Sequence, residues 1–421
     1  MSVTPSAAGH NSLADLRIDE ERLWRRHMEM ARIGALDGGG NCRLSMTPED
    51  GEARDLFKSW CEAAGLTVRI DRAGNMFAIR PGTDINAPMI VTGSHLDTQP
   101  HGGRFDGISG VLTALEVMET LNDAGVTTAA PLAVVNWTNE EGVNFTPGLM
   151  GSSWFVGRLS DRDVMEAQSR DGRSFEAEAG DLGYLGSETP ADFNIGAYYE
   201  LHIEQGPILE NRKRQIGVVE SVQGLRWLDV SVIGMDAHAG TTPMDQRQDS
   251  LQASARILVA INELGRKHAP DARVSVGYLN THTAGASTIA GGTDFVIDIR
   301  HPETDVLDHL ADECRRLCVD EAQQQNCMAQ VKVRTSVQPG EFDRQCVQNV
   351  EAAAQALGYP FMRMTSGALH DASNMTTIVP SAMVFVPCKD GISHNINESA
   401  EPNDLAAGCN VLLRAVLASA G

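Results

Sequence analysis

Apolar runs and stretches of helical periodicity alternate along this chain. Residues 15–36 and 47–65 carry apolar positions at three- and four-residue spacing, which predicts two amphipathic helices. The second opens on Thr47-Pro48 with acidic residues after it, a good helix start. Four apolar runs then end in polar or charged tips: APMIVTGSHLDT, APLAVVNWTNEE, AYYELHIEQG and SAMVFVPC. Helical stretches such as GVLTALEVMETLNDAG separate them, so they predict an α/β sheet of the doubly wound kind, covered on both faces. Ligands of such sheets bind beyond the carboxyl ends of the strands, and the polar tips are therefore expected to converge.

From about Gly224 the rhythm changes. Strand (LRWLDVSVIG), helix (DSLQASARILVAINELGRKH), strand (ARVSVGYLN), strand (TDFVIDIR), helix (DVLDHLADECRRLCVDEAQQQ) and strand (AQVKVRTSV) follow one another. The order βαββαβ is the ferredoxin-like unit. A complete unit between two parts of a larger sheet predicts an inserted lid or dimerisation domain over 222–335, splitting a catalytic domain into 1–221 and 336–421. The 421 residues leave room for such an arrangement at roughly 100–200 residues per domain.

Charge narrows the function. Lys and Arg number 34 against 56 Asp and Glu, a formal charge of −22, which argues against partners gripped through phosphate, whether nucleic acid or anionic membrane. No apolar run approaches the ~20 residues of a membrane helix. The opening residues show no apolar stretch ahead of a small-residue cleavage site, so the expectation is a soluble, cytoplasmic protein. Eight cysteines at uneven spacing, without a CxxC pair, predict reduced and mostly buried thiols; Cys314 and Cys318, one helical turn apart, are expected in a core.

The candidate chemistry sits at the tips. His95 ends an apolar run, Asp97 follows it, and Asp106 lies on a Gly-rich turn within GSHLDTQPHGGRFDG. Glu140 and Glu141 follow LAVVNW, His202 lies in YELHIEQGP beside Glu204 and Gln205, and His394 lies in DGISHNINE. Each has an ordinary reading alone: a polar turn, a solvated acidic pair, a satisfied core histidine, a capped loop. Together, His95, Asp106, Glu141, His202 and His394 supply three imidazoles and two carboxylates at the ends of one predicted sheet. Mixed nitrogen and oxygen donors suit Zn, Mn, Co or Ni. With one carboxylate bridging, five such ligands can hold two divalent ions about 3.5–4 Å apart. Two cations would also let an anionic substrate approach an otherwise acidic protein.

Through GSHLDTQPHGGRFDG, TNEEG, LHIEQGP, GMDAHAGTTPM, DIR, GALHDA and SHNINE, in that order, nearly the whole chain resembles the dinuclear-metal amidohydrolases of the hydantoinase/carbamoylase family. That family includes N-carbamoyl-L-amino-acid hydrolases, allantoate amidohydrolases and β-ureidopropionases and is related to aminoacylase-type metallopeptidases. The resemblance implies a metallopeptidase-like catalytic domain in which Asp106 bridges two metals, His95 and His202 complete one set, and Glu141 and His394 complete the other. It makes Glu140 the general base and lets Asp97 orient His95. It also implies that His238, which on its own reads as a turn histidine, polarises the scissile carbonyl, usually in the partner subunit's site. Arg300, otherwise a surface ion pair, would hold the substrate carboxylate. Gln205 would contact the substrate amide, and His370 and Asp371 would line the pocket. A homodimer through the inserted domain is expected.

Two positions depart from the family pattern. Ser287 stands in TAGASTIAGG where an Asn is usual, which shortens or removes a carboxylate contact, and Asn144 stands where many relatives carry Arg. The expected activity is hydrolysis of a ureido or N-acyl group on a small carboxylate, foremost an N-carbamoyl-L-amino acid, giving amino acid, ammonia and carbon dioxide. The alternatives are an allantoate amidohydrolase or β-ureidopropionase, an N-acyl-amino-acid deacylase or dipeptidase, and an inactive binding protein of the same fold.

Overall fold

The structure is a computed structural model that describes residues 13–283 and 285–421. The chain divides into two compact units, one formed by the residues up to Glu220 with Phe342–Met364 and His370–Gly421, the other by Ser221–Glu341 with Thr365–Leu369.

The large sheet of the first unit runs in the order Thr67–Ile70, Met76–Arg80, Leu132–Trp137, Met89–His95, Ile195–Ile203, Ser381–Val386, Ile216–Val222. Its centre is parallel: Met89–His95 pairs with Leu132–Trp137 and with Ile195–Ile203, which in turn pairs with Ser381–Val386. The register sets His95 opposite Trp137 and His202 opposite Phe385. Every residue of Met89–His95, Leu132–Trp137 and Ser381–Val386 is buried, so both faces are covered, as continuous apolar runs require. The helices Ile108–Asp123 and Pro402–Ala420 pack against each other and against these strands.

The first predicted helix is shorter than its periodicity. It spans Glu20–Met30 because the Asp19 side chain caps it, accepting from the Arg22 N–H. Beyond Met30 the chain turns, and Gly34, Gly38, Gly39 and Gly40 all adopt positive φ. The second helix, Pro48–Ala63, starts on the Thr47 cap.

The second unit is a four-stranded antiparallel sheet ordered Met328–Val337, Gly224–Ile233, Gly292–His301, Arg273–Thr281, with helices Ser250–Lys267 and Thr304–Gln324. Alternate strand residues Leu228, Val230 and Val232 join Ile257, Ile261, Phe295, Ile297, Leu310, Cys314 and Cys318 in its own core. All eight cysteines are free, and seven are buried. Among the described residues, no helix is long and apolar enough to cross a membrane.

Candidate metal centre

Parallel strands bring their carboxyl ends to one side, and the polar tips do meet there. His95 is the last residue of its strand, the Glu140-Glu141 turn follows Leu132–Trp137, His202 lies near the end of Ile195–Ile203, and the His394 loop follows Ser381–Val386. Asp106 arrives from the turn ahead of Ile108–Asp123, whose N-cap is Gly107 at φ 69°. A Cβ at Gly107 would stand 2.2 Å from the His95 ring, so only glycine lets this turn close over the imidazole.

Asp106 divides its two oxygens between two groups. Oδ1 lies 3.1 Å from His202 Nε2 and 3.9 Å from His95 Nε2. Oδ2 lies 3.2 Å from His394 Nε2, which is itself 3.4 Å from Glu141 Oε2. Both His95, Asp106, His202 and Asp106, Glu141, His394 are therefore spaced to hold an ion. A third group, Glu200, His202 and His370, has suitable spacing too, but the Glu200 carboxylate is already occupied by Ser94 Oγ, Tyr198 OH and the Ala372 N–H.

The donor atoms are prepared for a cation. His95 Nδ1 sits 2.9 Å from the Asp97 carbonyl oxygen and His202 Nδ1 2.9 Å from that of Ile203, which places the proton on Nδ1 and leaves each Nε2 as an acceptor, that of His202 receiving the Gly107 N–H at 3.1 Å. Burial lowers His95 to about 4, so its ring is neutral at neutral pH. The adjacent glutamates show the opposite strain. Burial, with Glu141 beside it, pushes Glu140 well above its ordinary range; burial and Asp106 push Glu141 up to about 8. So many acids in one dry pocket lack positive charge, and divalent ions bound by these nitrogen and oxygen donors fit that deficit.

Around the ligands, several contacts hold geometry. The Asp97 carboxylate accepts the N–H groups of Glu140 and Glu141, each at 3.2 Å, and stands 3.8 Å from His95 Nδ1. Glu140 Oε2 is 3.5 Å from His95 Nε2. Gln205 Nε2 donates to Asp106 Oδ2 at 2.9 Å. His370 is buried, its ring centroid 4.4 Å from that of His202, and Asp371 accepts from Ser152 Oγ. Gln205 at φ 56° and His394 at φ 53° are held in the left-handed region, a cost of order 1–3 kcal/mol each that functional sites concentrate.

No role for Gln99 or Glu398 follows from their sequence context. Gln99 Nε2 donates to Glu141 Oε2 at 2.7 Å, and Glu398 accepts the Phe105 and Asp106 N–H groups. Both lie inside the segments GSHLDTQPHGGRFDG and SHNINE, but nothing in their residue type or spacing marks them as supports. Asn144 is buried in a local network, donating to the Ser45 carbonyl at 2.8 Å and to Glu178 Oε2 at 3.3 Å.

His238, Ser287 and Arg300 belong to the second unit. His238 Nδ1 accepts the N–H groups of Gly240 at 3.0 Å and Thr241 at 3.2 Å, so the proton of the neutral ring is on Nε2, as a donor. The Ser287 carbonyl accepts the Ala239 N–H at 2.8 Å and steadies the same turn through its backbone. Asp298 takes one edge of the Arg300 guanidinium, with Nε at 3.1 Å and Nη2 at 3.0 Å, while Nη1 donates to the Gly367 carbonyl at 3.0 Å. Of five N–H donors this leaves one on each Nη, the fork that matches a carboxylate.

Residues 91–418 match the model of peptidase family M20/M25/M40. The chain is 41% identical over 408 residues to an N-carbamoyl-L-amino-acid amidohydrolase of Rhizobium meliloti, covering 96% of this chain and 97% of that one. It is 32% identical to the allantoate amidohydrolase of Bacillus subtilis, over 91% of this chain and 93% of the other. A crystal structure of a hydantoinase/carbamoylase family amidase from Burkholderia multivorans superposes with a TM-score of 0.91 at 43% identity, covering 96% and 98% of the two chains. Enzymes of family M20 are metal-dependent, in keeping with the ligand groups around Asp106. The chain therefore belongs to peptidase family M20/M25/M40, alongside the hydantoinase/carbamoylase family amidases.

Proposed function

We propose that this protein hydrolyses the linear C–N bond of an N-carbamoyl-L-amino acid with the help of two divalent ions. The observation that carries the two-ion reading is Asp106, whose oxygens face separate ligand groups. The names of the relatives support the substrate class. His95 and His202 would hold one ion and Glu141 and His394 the other, with Asp106 shared; Zn, Mn, Co and Ni all suit these donors. The ions, when bound, supply the positive charge that acidifies a water and polarises the carbamoyl carbonyl.

Glu140 takes the proton of the attacking water and delivers it to the departing nitrogen. Its largely buried place, 3.5 Å from His95 Nε2, suits a group that passes a proton from the water to the leaving nitrogen. Attack at the carbamoyl carbon and rupture of its bond to the amino acid nitrogen release the free amino acid and carbamate, which decomposes to ammonia and carbon dioxide. His238, of this chain or of a partner, donates a hydrogen bond from its Nε2–H to the developing oxyanion. The free fork of Arg300 binds the substrate carboxylate, Gln205 contacts the ureido group, and His370 and Ser287 border the pocket. We place the enzyme in the cytoplasm as a homodimer built through the second unit, which acts as a lid.

The test is ammonia release by protein reconstituted with manganese or zinc, assayed on N-carbamoyl-L-amino acids, N-carbamoyl-β-alanine and allantoate, with free amine followed on N-acetyl amino acids. Turnover of carbamoyl-L-amino acids, lost on chelation and lost in Glu140→Gln with its metals in place, is expected. Turnover of N-carbamoyl-β-alanine or allantoate alone would name another branch, and cleavage of the acetyl compounds alone would make the protein a deacylase.

A further inference from the structure

Glu398 is 1% exposed and makes contact with two loops that approach the metal centre from distant parts of the chain. Its Oε1 accepts the N–H of Phe105 at 2.9 Å and of Asp106 at 3.1 Å. Its Oε2 lies 3.1 Å from the hydroxyl of Ser393, the residue before His394, and that hydroxyl is also 3.0 Å from Asp106 Oδ2. The cradle is built for this carboxylate, since a Cβ at Gly103 would stand 1.9 Å from Glu398 Oε1. A buried carboxylate needs such partners, and here they come from both loops.

The ligands it serves are not equally braced. His95 and His202 are buried and lie in strands, with each ring fixed by a backbone carbonyl. The His394 side chain is 49% exposed and its backbone sits at φ 53°, a conformation that persists only when its surroundings impose it. Glu398 ties this loop to the backbone of the shared ligand, and Ser393 ties it to that ligand's carboxylate.

We infer that Glu398 is a positioning residue that sets the affinity of the second metal position, the one formed by Asp106, Glu141 and His394, while leaving the His95–His202 position nearly unchanged. The inference rests on the two-ion reading above. It concerns cation uptake, so its test does not need turnover.

The experiment is a titration of the metal-free protein with Mn²⁺ against a chromophoric chelator, with the electron paramagnetic resonance spectrum recorded at two equivalents. Wild type is expected to take two ions and show an exchange-coupled pair. Glu398→Ala is expected to hold its first ion within about threefold of wild type, to bind the second ten- to hundredfold more weakly, and to show the signal of an isolated ion. Glu398→Gln, which keeps an oxygen acceptor for the two N–H groups, should recover most of the second affinity. Should Glu398→Ala fail to fold, Ser393→Ala reads the same link and is expected to weaken the second ion selectively. Wild-type affinities for both ions in Glu398→Ala, or in Ser393→Ala where that variant stands in, would overturn the inference and leave the two-ion reading intact. Equal weakening of both positions overturns it as well. Uptake of one ion by wild type overturns the two-ion reading and this inference with it.

Discussion

The Asp97 carbonyl oxygen, and not its carboxylate, lies closest to the His95 ring: Nδ1 is 2.9 Å from the former and 3.8 Å from the latter. The carboxylate instead accepts the N–H groups of Glu140 and Glu141. Asp97 therefore orients His95 through its backbone and the acidic pair through its side chain. In Asp97→Asn one of those two N–H groups must face an amide nitrogen. We expect kcat to fall about 10- to 100-fold and the ion bound by Glu141 to weaken, with the His95 position retained. Metal titration beside kcat checks this; loss of the His95-side ion would return the carboxylate to a role on the imidazole.

For His238, the Gly240 and Thr241 N–H groups fill the Nδ1 lone pair and leave Nε2 as the donor. His238→Ala is expected to lower kcat by about 10²–10³ with metal content and fold unchanged. Metal analysis, circular dichroism and steady-state kinetics on one preparation decide it, and a change confined to KM would make His238 a binding group.

The Arg300 fork is what remains after Asp298 and Gly367 have taken three donors. A lysine cannot offer two parallel donors, so Arg300→Lys should raise KM about thirtyfold, equivalent to about 2 kcal/mol, with kcat much less affected. Asp298→Ala, which frees the guanidinium to rotate, should raise KM about tenfold. A substrate analogue with an amide in place of the carboxylate should be indifferent to both changes. Equal losses on acid and amide would remove Arg300 from carboxylate recognition.

His27 is fully buried against Phe105, with its Nδ1 donating to the Leu23 carbonyl. Burial lowers it to about 4 from an ordinary 6.5. The unfolded chain thus binds a proton that the folded one refuses between these values. Its contribution is fully present above pH 6.5 and is lost as pH falls toward 4, at most about 3 kcal/mol. Urea unfolding of wild type and His27→Phe at pH 7 and pH 5 measures this: the variant should lose less stability between the two, and parallel losses would show that another group governs acid sensitivity.

Local pattern made much of this protein legible. A two-residue period and continuous apolar runs reflect strand geometry and burial, so the four central strands, their polar tips and the change to a βαββαβ rhythm were all readable along the chain. Periodicity overran at the first helix, because Asp19 and the Gly34–Gly40 turns, not the apolar spacing, set where the helix could begin and end.

What residue order does not carry is the direction of a side chain toward a partner far away in sequence. Glu398 meets Phe105 across 293 positions, and Gln99 meets Glu141 across 42. Asp106 presents one oxygen to each ligand group only because four parallel strands end level with one another and a glycine turn closes over His95. The sequence by itself determined the residue types and the elements that carry them, since both depend on neighbours three or four positions away. The tertiary structure alone decided which oxygen faces which imidazole, because hydrogen-bond and ligand geometry are fixed by atoms that folding brings together.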